Sequence, residues 1–353
     1  MKRALLLLCT LLFLLVGCEK VLEIDEPTER QLVLNGVPQA GRQAFVHFAY
    51  TRFFLDDNID QPVGDVSMTL TVNGAPMTCS QVSNSKYFFP YVLQEDDSLA
   101  IDIMADGHAV HAETYVPKYP KVEQFRAMPF ASTSFNFVIA SFNLDDHAGV
   151  DEYYNIIVQQ RDSGARFDEW KGVLDTVDTL YRTYFMCPYN EDITASDVCA
   201  YLPLGGYLYS GLLFLDKRIG GRNYPVSLFI MQLVDTNEVA PFKHEYTVTV
   251  ESVTPARFRY LISAGSQNSM FSYFAEQGQV YSNVDGALGI FAGSAKRKYT
   301  FSPDTMQFVP APIKDGEMKK LLKDKNILSV SRKVVSLQSD LWGKKPPIIG
   351  ESN

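Results

Sequence analysis

The chain has 353 residues, 46% of them hydrophobic, and a formal net charge of −9. An acidic surface of that kind disfavours nucleic acid as a partner, because phosphate binding is driven by clustered lysine and arginine. A length well above that of one ordinary core makes two domains the default expectation.

Met1 is followed by Lys2 and Arg3, and then by an apolar run from Ala4 to Val16. A short apolar run behind a basic start is the anatomy of a secretory signal. It ends in Leu15-Val16-Gly17-Cys18, which resembles the lipobox of bacterial lipoproteins. Cys18 is therefore the expected lipidation site and residues 1–17 the removed signal. Two or three acyl chains, each methylene worth about 0.8 kcal/mol, anchor a protein stably where one chain does not. Loss of Lys2 and Arg3 takes the formal charge from −9 to −11. No later segment reaches the run of about 18 apolar residues that a spanning helix needs, so membrane attachment rests on the lipid. Residues 18–30 are acidic and contain a proline, and read as a lipidated tether.

From Gln31 to Val116 the hydrophobic period is two. Val66, Met68, Leu70 and Val72 alternate with polar residues, as do Leu99, Ile101 and Ile103. This pattern predicts half-buried strands. Turn signals at Asn35-Gly36, Asn73-Gly74 and Asp106-Gly107 divide them, the last being the clearest hairpin. A small immunoglobulin-like or prealbumin-like sandwich over 31–117 is the predicted closure. Pro117, Pro120 and Pro129 predict a junction over 118–129 that joins neither sheet.

A larger β-sandwich or barrel-like domain is expected over 130–313. Its strand-like runs are Ser134–Asn143, Tyr153–Arg161, Pro225–Val234, His244–Val253 and Lys298–Phe301. A helical insert near 254–277 is predicted from the Thr254-Pro255 cap, the apolar residues Phe258, Leu261 and Ile262, and a stop at Gly265; Asn268–Gln277 repeats the pattern. Residues 314–353 read as a basic helix and tail. Nine basic and four acidic residues between Lys314 and Lys345 give +5, against −16 on the rest of the chain after Gly17. Lys319, Lys320 and Lys323 share one helical side, facing either anionic lipid headgroups or the protein's own acidic surface.

Three cysteines follow Cys18. Cys187 and Cys199 flank a polar, turn-rich stretch, and in an oxidising compartment a disulfide closing that loop is expected, contributing on the order of 3 kcal/mol. Cys79 reads as a buried strand thiol, with a reactive site as the alternative. Tyr181, Tyr184, Tyr189, Tyr201, Tyr207 and Tyr209 crowd the same region among glycines. Tyrosines so placed serve recognition surfaces, or fill turns and pack strands, and both readings stand. His108 and His111 lie three apart in a predicted strand and so face opposite sides, which argues against a shared metal. Asp56-Asp57-Asn58-Ile59-Asp60 lacks the glycine and final glutamate of a calcium loop. No serine elbow or phosphate loop occurs, so neither a catalytic residue nor a cofactor is assigned.

The run Val280-Tyr281-Ser282-Asn283-Val284-Asp285-Gly286-Ala287-Leu288-Gly289-Ile290-Phe291-Ala292-Gly293 resembles the characteristic stretch of a Bacteroidetes lipoprotein family known as domain of unknown function 4249. Phe214–Gly221, Cys18–Ile24, Leu34–Val37 and Tyr50–Phe54 are similar to its other stretches. Ala287 stands where the family pattern has a third glycine. Read from the residues alone, the glycines of the run suit a bent strand or tight turns at close backbone approach. The resemblance implies an outer-membrane lipoprotein of two β domains, often encoded beside a TonB-dependent transporter, with no assigned catalytic residues. The function expected is therefore non-enzymatic: a lipid-anchored outer-membrane protein that binds a partner or ligand, as an accessory to such a transporter. A fimbrial-type surface subunit is the alternative, with Arg30 or Arg42 as a maturation cut, and a glycan- or peptide-acting enzyme is a third reading.

Overall fold

The computed structural model describes residues 30–51, 63–131, 136–145, 151–168, 170–186, 193–194, 198–202, 206–209, 211–215, 223–232, 238–267, 279–303 and 351. The signal, Cys18, the tether up to residue 29, the Asp56–Asp60 loop and the basic segment 314–345 lie outside them.

Strand dominates, as the period-two runs predict. The first module contains β1 (Leu32–Gly36), β2 (Gln43–Tyr50), β3 (Ser67–Val72), β4 (Ala75–Thr78), β5 (Ser80–Ser83), β6 (Lys86–Val92), β7 (Ser98–Ala105) and β8 (His108–Tyr115). In β7 the inward set is Leu99, Ile101, Ile103 and Ala105, while Asp102 and Met104 face solvent. Asn73 and Asp106 sit in the left-handed region at φ 50° and 49°, each followed by glycine, and so form the two tight hairpin turns β3–β4 and β7–β8. The third turn expectation fails. Asn35-Gly36 ends β1 and pairs with His47 and Val46, because Gly36 lies where the Val46 and Phe291 side chains close over the backbone.

One sheet of this module runs β4-β3-β7-β8. The other runs β20-β1-β2-β6-β5, where β20 (Leu288–Phe291) comes from far down the chain and lies parallel to β1. The core joins Leu34, Phe48, Leu70, Phe89 and Ile101 to Val284 and Phe291. Strand β20 and the side chains of Val284 and Phe291 thus reach this sandwich from outside residues 31–117.

The second module contains β9 (Lys121–Ala131), β10 (Asn136–Asp145), β11 (Tyr153–Asp168), β12 (Val173–Arg182), β13 (Phe185–Met186), β14 (Ile193–Thr194), β15 (Val198–Leu202), β16 (Gly206–Tyr209), β17 (Gly211–Leu215), β18 (Asn223–Gln232), β19 (Glu238–Val253) and β21 (Ser294–Phe301). Its sheets run β15-β16-β13-β18-β10-β9 and β14-β17-β11-β19-β21, with β12 on β11. Their shared core includes Phe125, Phe142, Tyr154, Ile156, Leu228, Tyr246, Val248 and Tyr299, and the Phe125 and Tyr299 rings stack at 4.3 Å. Each such side chain, fully buried, contributes about 1.5–3 kcal/mol. The sequence pattern puts Pro129 in a junction. It stands inside β9 opposite Val138, tolerated because β9 is the last strand of its sheet among the described residues.

Helix α1 (Pro255–Gln267) follows β19. Thr254 Oγ1 accepts from the Arg257 N–H at 3.5 Å, and Pro255 takes the first helical position. Phe258, Leu261 and Ile262 pack on Leu213, Val253 and Tyr153, as their spacing predicts. The helix passes through Gly265 rather than stopping there, and the repeat at Asn268–Gln277 lies outside the described residues. Among the described residues no helix is long and apolar enough to cross a membrane.

Candidate functional site

The glycine-bearing run 280–293 is a strap across the first sandwich. The Asp285 and His111 backbones exchange hydrogen bonds at 2.8 and 3.0 Å, which ties the strap to β8, while β20 ties it to β1. Asn283 Oδ1 accepts from the Phe291 N–H at 2.9 Å, and its Nδ2 donates to the Phe291 carbonyl at 2.8 Å. Gly289 has φ 107°, and a Cβ there would stand 2.1 Å from the Leu34 carbonyl oxygen. The glycine is thus a backbone requirement of the strand pairing. A cleft of about 310 Å³ opens beside the strap, lined by Arg30, Tyr50, His108, Gly286 and Leu288.

The second module projects an arm. β17 pairs with Tyr153–Ile157 of β11, and β12 pairs with Gln159–Asp168, so the far half of β11 runs between β12 and β19. At the arm's base Asp162 is buried. Its Oδ1 accepts from Gln160 Nε2 at 2.8 Å and from His244 Nδ1 at 2.9 Å, and its Oδ2 from Tyr181 Oη at 2.8 Å. Burial acts to raise the Asp162 pKa, and the three hydrogen bonds outweigh it, holding the carboxyl below the ordinary aspartate value. One carboxylate thereby joins side chains of β11, β12 and β19.

At the tip, Asp168 Oδ1 accepts from the Trp170 and Lys171 N–H groups at 3.0 Å each, and Gly172 N–H donates to the Asp168 carbonyl at 2.7 Å. Lys171 Nζ lies 2.9 Å from both Asp168 and Asp175, and these carboxylates raise its pKa. The turn is built by its own hydrogen bonds, and it holds out Trp170 with 99% of its surface exposed. Phe167, Val173, Leu174, Leu180 and Tyr184 are exposed on the same arm or at its foot.

The tyrosines singled out from sequence are divided by the fold. Tyr181 lies on β12, whereas Tyr201, Tyr207 and Tyr209 belong to β15 and β16 of the other sheet, Tyr201 paired with Tyr207. The side chains of Tyr189, Tyr201, Tyr207 and Tyr209, and the pairing of Cys187 with Cys199, lie outside the described residues. The sequence does not mark Trp170: a lone tryptophan between Glu169 and Lys171 carries no periodic signal, and only a turn motif anchored on Asp168 points to it. Cys79 packs against the first core, and burial pushes its thiol pKa up, which keeps it protonated. His111 Nδ1 lies 2.8 Å from Asp102, whose carboxylate raises the imidazole pKa. Among the described residues no three His, Cys, Asp or Glu side chains converge as metal ligands.

Fold and site together define a protein of two β-sandwiches, the first closed by a strap from the second half of the chain and the second bearing an exposed aromatic arm. Residues 19–300 match the family model described as "Domain of unknown function (DUF4249)", and the chain belongs to that family. No curated protein matches it. Among solved structures it is similar to a DUF4785 family protein from Legionella pneumophila at 10% identity and a TM-score of 0.21, over 61% of this chain and 50% of that one. The collagen-binding domain of an Erysipelothrix rhusiopathiae surface protein matches at 9% identity and a TM-score of 0.18, over 76% and 96%. The chain spans half the length of the Legionella protein, and overlaps at these scores carry no functional argument.

Proposed function

We propose that this protein is a non-enzymatic, lipid-anchored outer-membrane protein that binds a partner protein, as an accessory to a TonB-dependent transporter. The lipobox at Cys18 supports the anchor. The observation that carries the binding reading is Trp170, fully exposed on a hydrogen-bonded turn at the end of a braced arm. A tryptophan has only two side-chain torsions to fix on docking, and large aromatic side chains dominate interface energetics.

Two variants of the full-length chain test the two halves of the reading. Cys18→Ser should leave the protein unprocessed or released from membranes; retention equal to the parent's removes the anchor. Trp170→Ala should keep its membrane retention and its melting temperature, yet recover about thirtyfold less transporter on gentle solubilisation and pull-down, the scale of an interface hot spot of about 2 kcal/mol. Equal recovery of the transporter by parent and variant removes the arm from recognition.

A further inference from the structure

The outer edge of β12 carries a pattern that neither the anchor nor the Trp170 turn uses. Among the described residues β11 is its single strand neighbour, and Val173–Leu180 is exposed along most of its length, so the other edge of that stretch presents backbone donors and acceptors to solvent. Natural edge strands are commonly protected by a proline, a bulge or an outward lysine. Val173–Tyr181 contains no proline and no lysine, and it pairs with β11 without a register shift. Its acidic side chains are neutralised inside the arm: Asp175 by Lys171 at 2.9 Å, and Asp178 by two bonds from Arg161 at 2.8 and 2.9 Å. Leu174 and Leu180 stand 60% and 61% exposed. They share one face of the strand, since residues at even spacing do so.

We propose that β12 pairs antiparallel with β12 of a second copy of this chain, about a two-fold axis through Val177. The strand's own sequence selects this occupant. Centred on Val177, Leu174 lies opposite the copy's Leu180, Val173 opposite its Tyr181, Thr176 opposite its Asp178 and Asp175 opposite its Thr179. Apolar meets apolar, and each aspartate meets a threonine. A two-fold axis normal to the sheet keeps each side chain on its own face, so the nearest alternative centres are Asp178 and Thr176. The first sets Asp178 against Asp178 and Leu174 against Arg182; the second sets Leu174 against Asp178. Like charges directly opposite each other destabilise a pair, and Leu–Leu and Val–Tyr pairs stabilise it. The result is one sheet running through both copies, from β21 of one to β21 of the other. Trp170 lies in the turn before the paired stretch.

Cysteine substitutions in the full-length chain test this register under mild oxidation on a non-reducing gel. Val177→Cys should yield a disulfide-linked dimer absent from the parent, and Thr179→Cys should yield little, because position 179 faces 175 of the copy. Should Val177→Cys fail to fold, Asp175→Cys co-expressed with Thr179→Cys probes the same register and should yield the linked pair. Leu180→Glu, a change at an exposed side chain that leaves the far-ultraviolet circular dichroism unaltered, should cut the linked fraction on the order of tenfold. Absence of linkage in both designs, equal linkage through positions 177 and 179, or indifference to Leu180→Glu overturns the proposal. Linkage of Val177→Cys to a different protein also overturns it, and assigns the edge to a foreign strand.

Discussion

Asp162 accepts from Gln160, His244 and Tyr181 at once, so the arrangement holds only while the carboxyl stays ionised. Its folded pKa lies below the ordinary aspartate value of about 3.9. A depressed folded value means that the stabilisation is fully present above the unfolded pKa and fades as the pH falls through the folded one. Asp162→Asn should therefore be less stable than the parent at pH 7, by about 1–3 kcal/mol, and should show a flatter loss below about pH 4. Melting temperatures of the two chains across that range check this; parallel acid limbs would assign the acid loss to other carboxylates. Nothing near Asp162 in sequence announces the cluster, because His244 is 82 positions away. Gly289 differs, since its glycine-rich run predicts close backbone approach without saying to what.

Among the elements, β7 and β8 are legible because alternation and the Asp106-Gly107 turn act over a few residues. The strand-like run in the sequence ends at Arg161, whereas β11 continues to Asp168 through Gly164, a residue that ordinarily marks a break. β12 leaves no strand pattern in the sequence. Val173, Leu174, Val177, Leu180 and Tyr181 follow no period of two, since both faces of the arm are open to solvent there. Helix α1 was legible from its cap and apolar stripe, whereas its attachment was not. Buried Glu251 of β19 accepts from Asn155 Nδ2 at 2.8 Å, and its Oε1 lies 3.1 Å from Arg257 of α1 and 3.3 Å from Lys296 of β21. These last two contacts are ion pairs by distance rather than aligned hydrogen bonds. Removing the shared anion strands two cations, so Glu251→Ala should cost about 3 kcal/mol, read as a lowered denaturant midpoint. An unchanged midpoint would mean that water replaces the carboxylate.

At the scale of the whole molecule, the chain leaves the first sandwich at Phe291 and enters β21 of the second at Ser294. The strap places Val284 and Phe291 in the first core, and Asn283 locks its return. A fragment of residues 31–117 lacks β20 and both core side chains, and should remain unfolded by circular dichroism and amide dispersion. The full chain should melt in one transition, because the second module's last strand holds the first module's closing strand in place. A folded, cooperatively melting fragment would show that the strap only decorates a complete sandwich.

What the sequence determines by itself is the β class, most strands of the first module, the two tight turns and the capped helix, because alternation, left-handed turn residues and caps act over a few neighbouring positions. Family membership is legible for a related reason, carried in short runs such as Val280–Gly293. Tertiary structure alone decides that this run closes the distant first sandwich, that Pro129 sits on an edge, that Asp162 gathers three strands and that Trp170 and the rim of β12 stay open to solvent. Each of these depends on what a residue meets from remote parts of the chain, and contacts between segments that far apart leave no periodic trace in either segment.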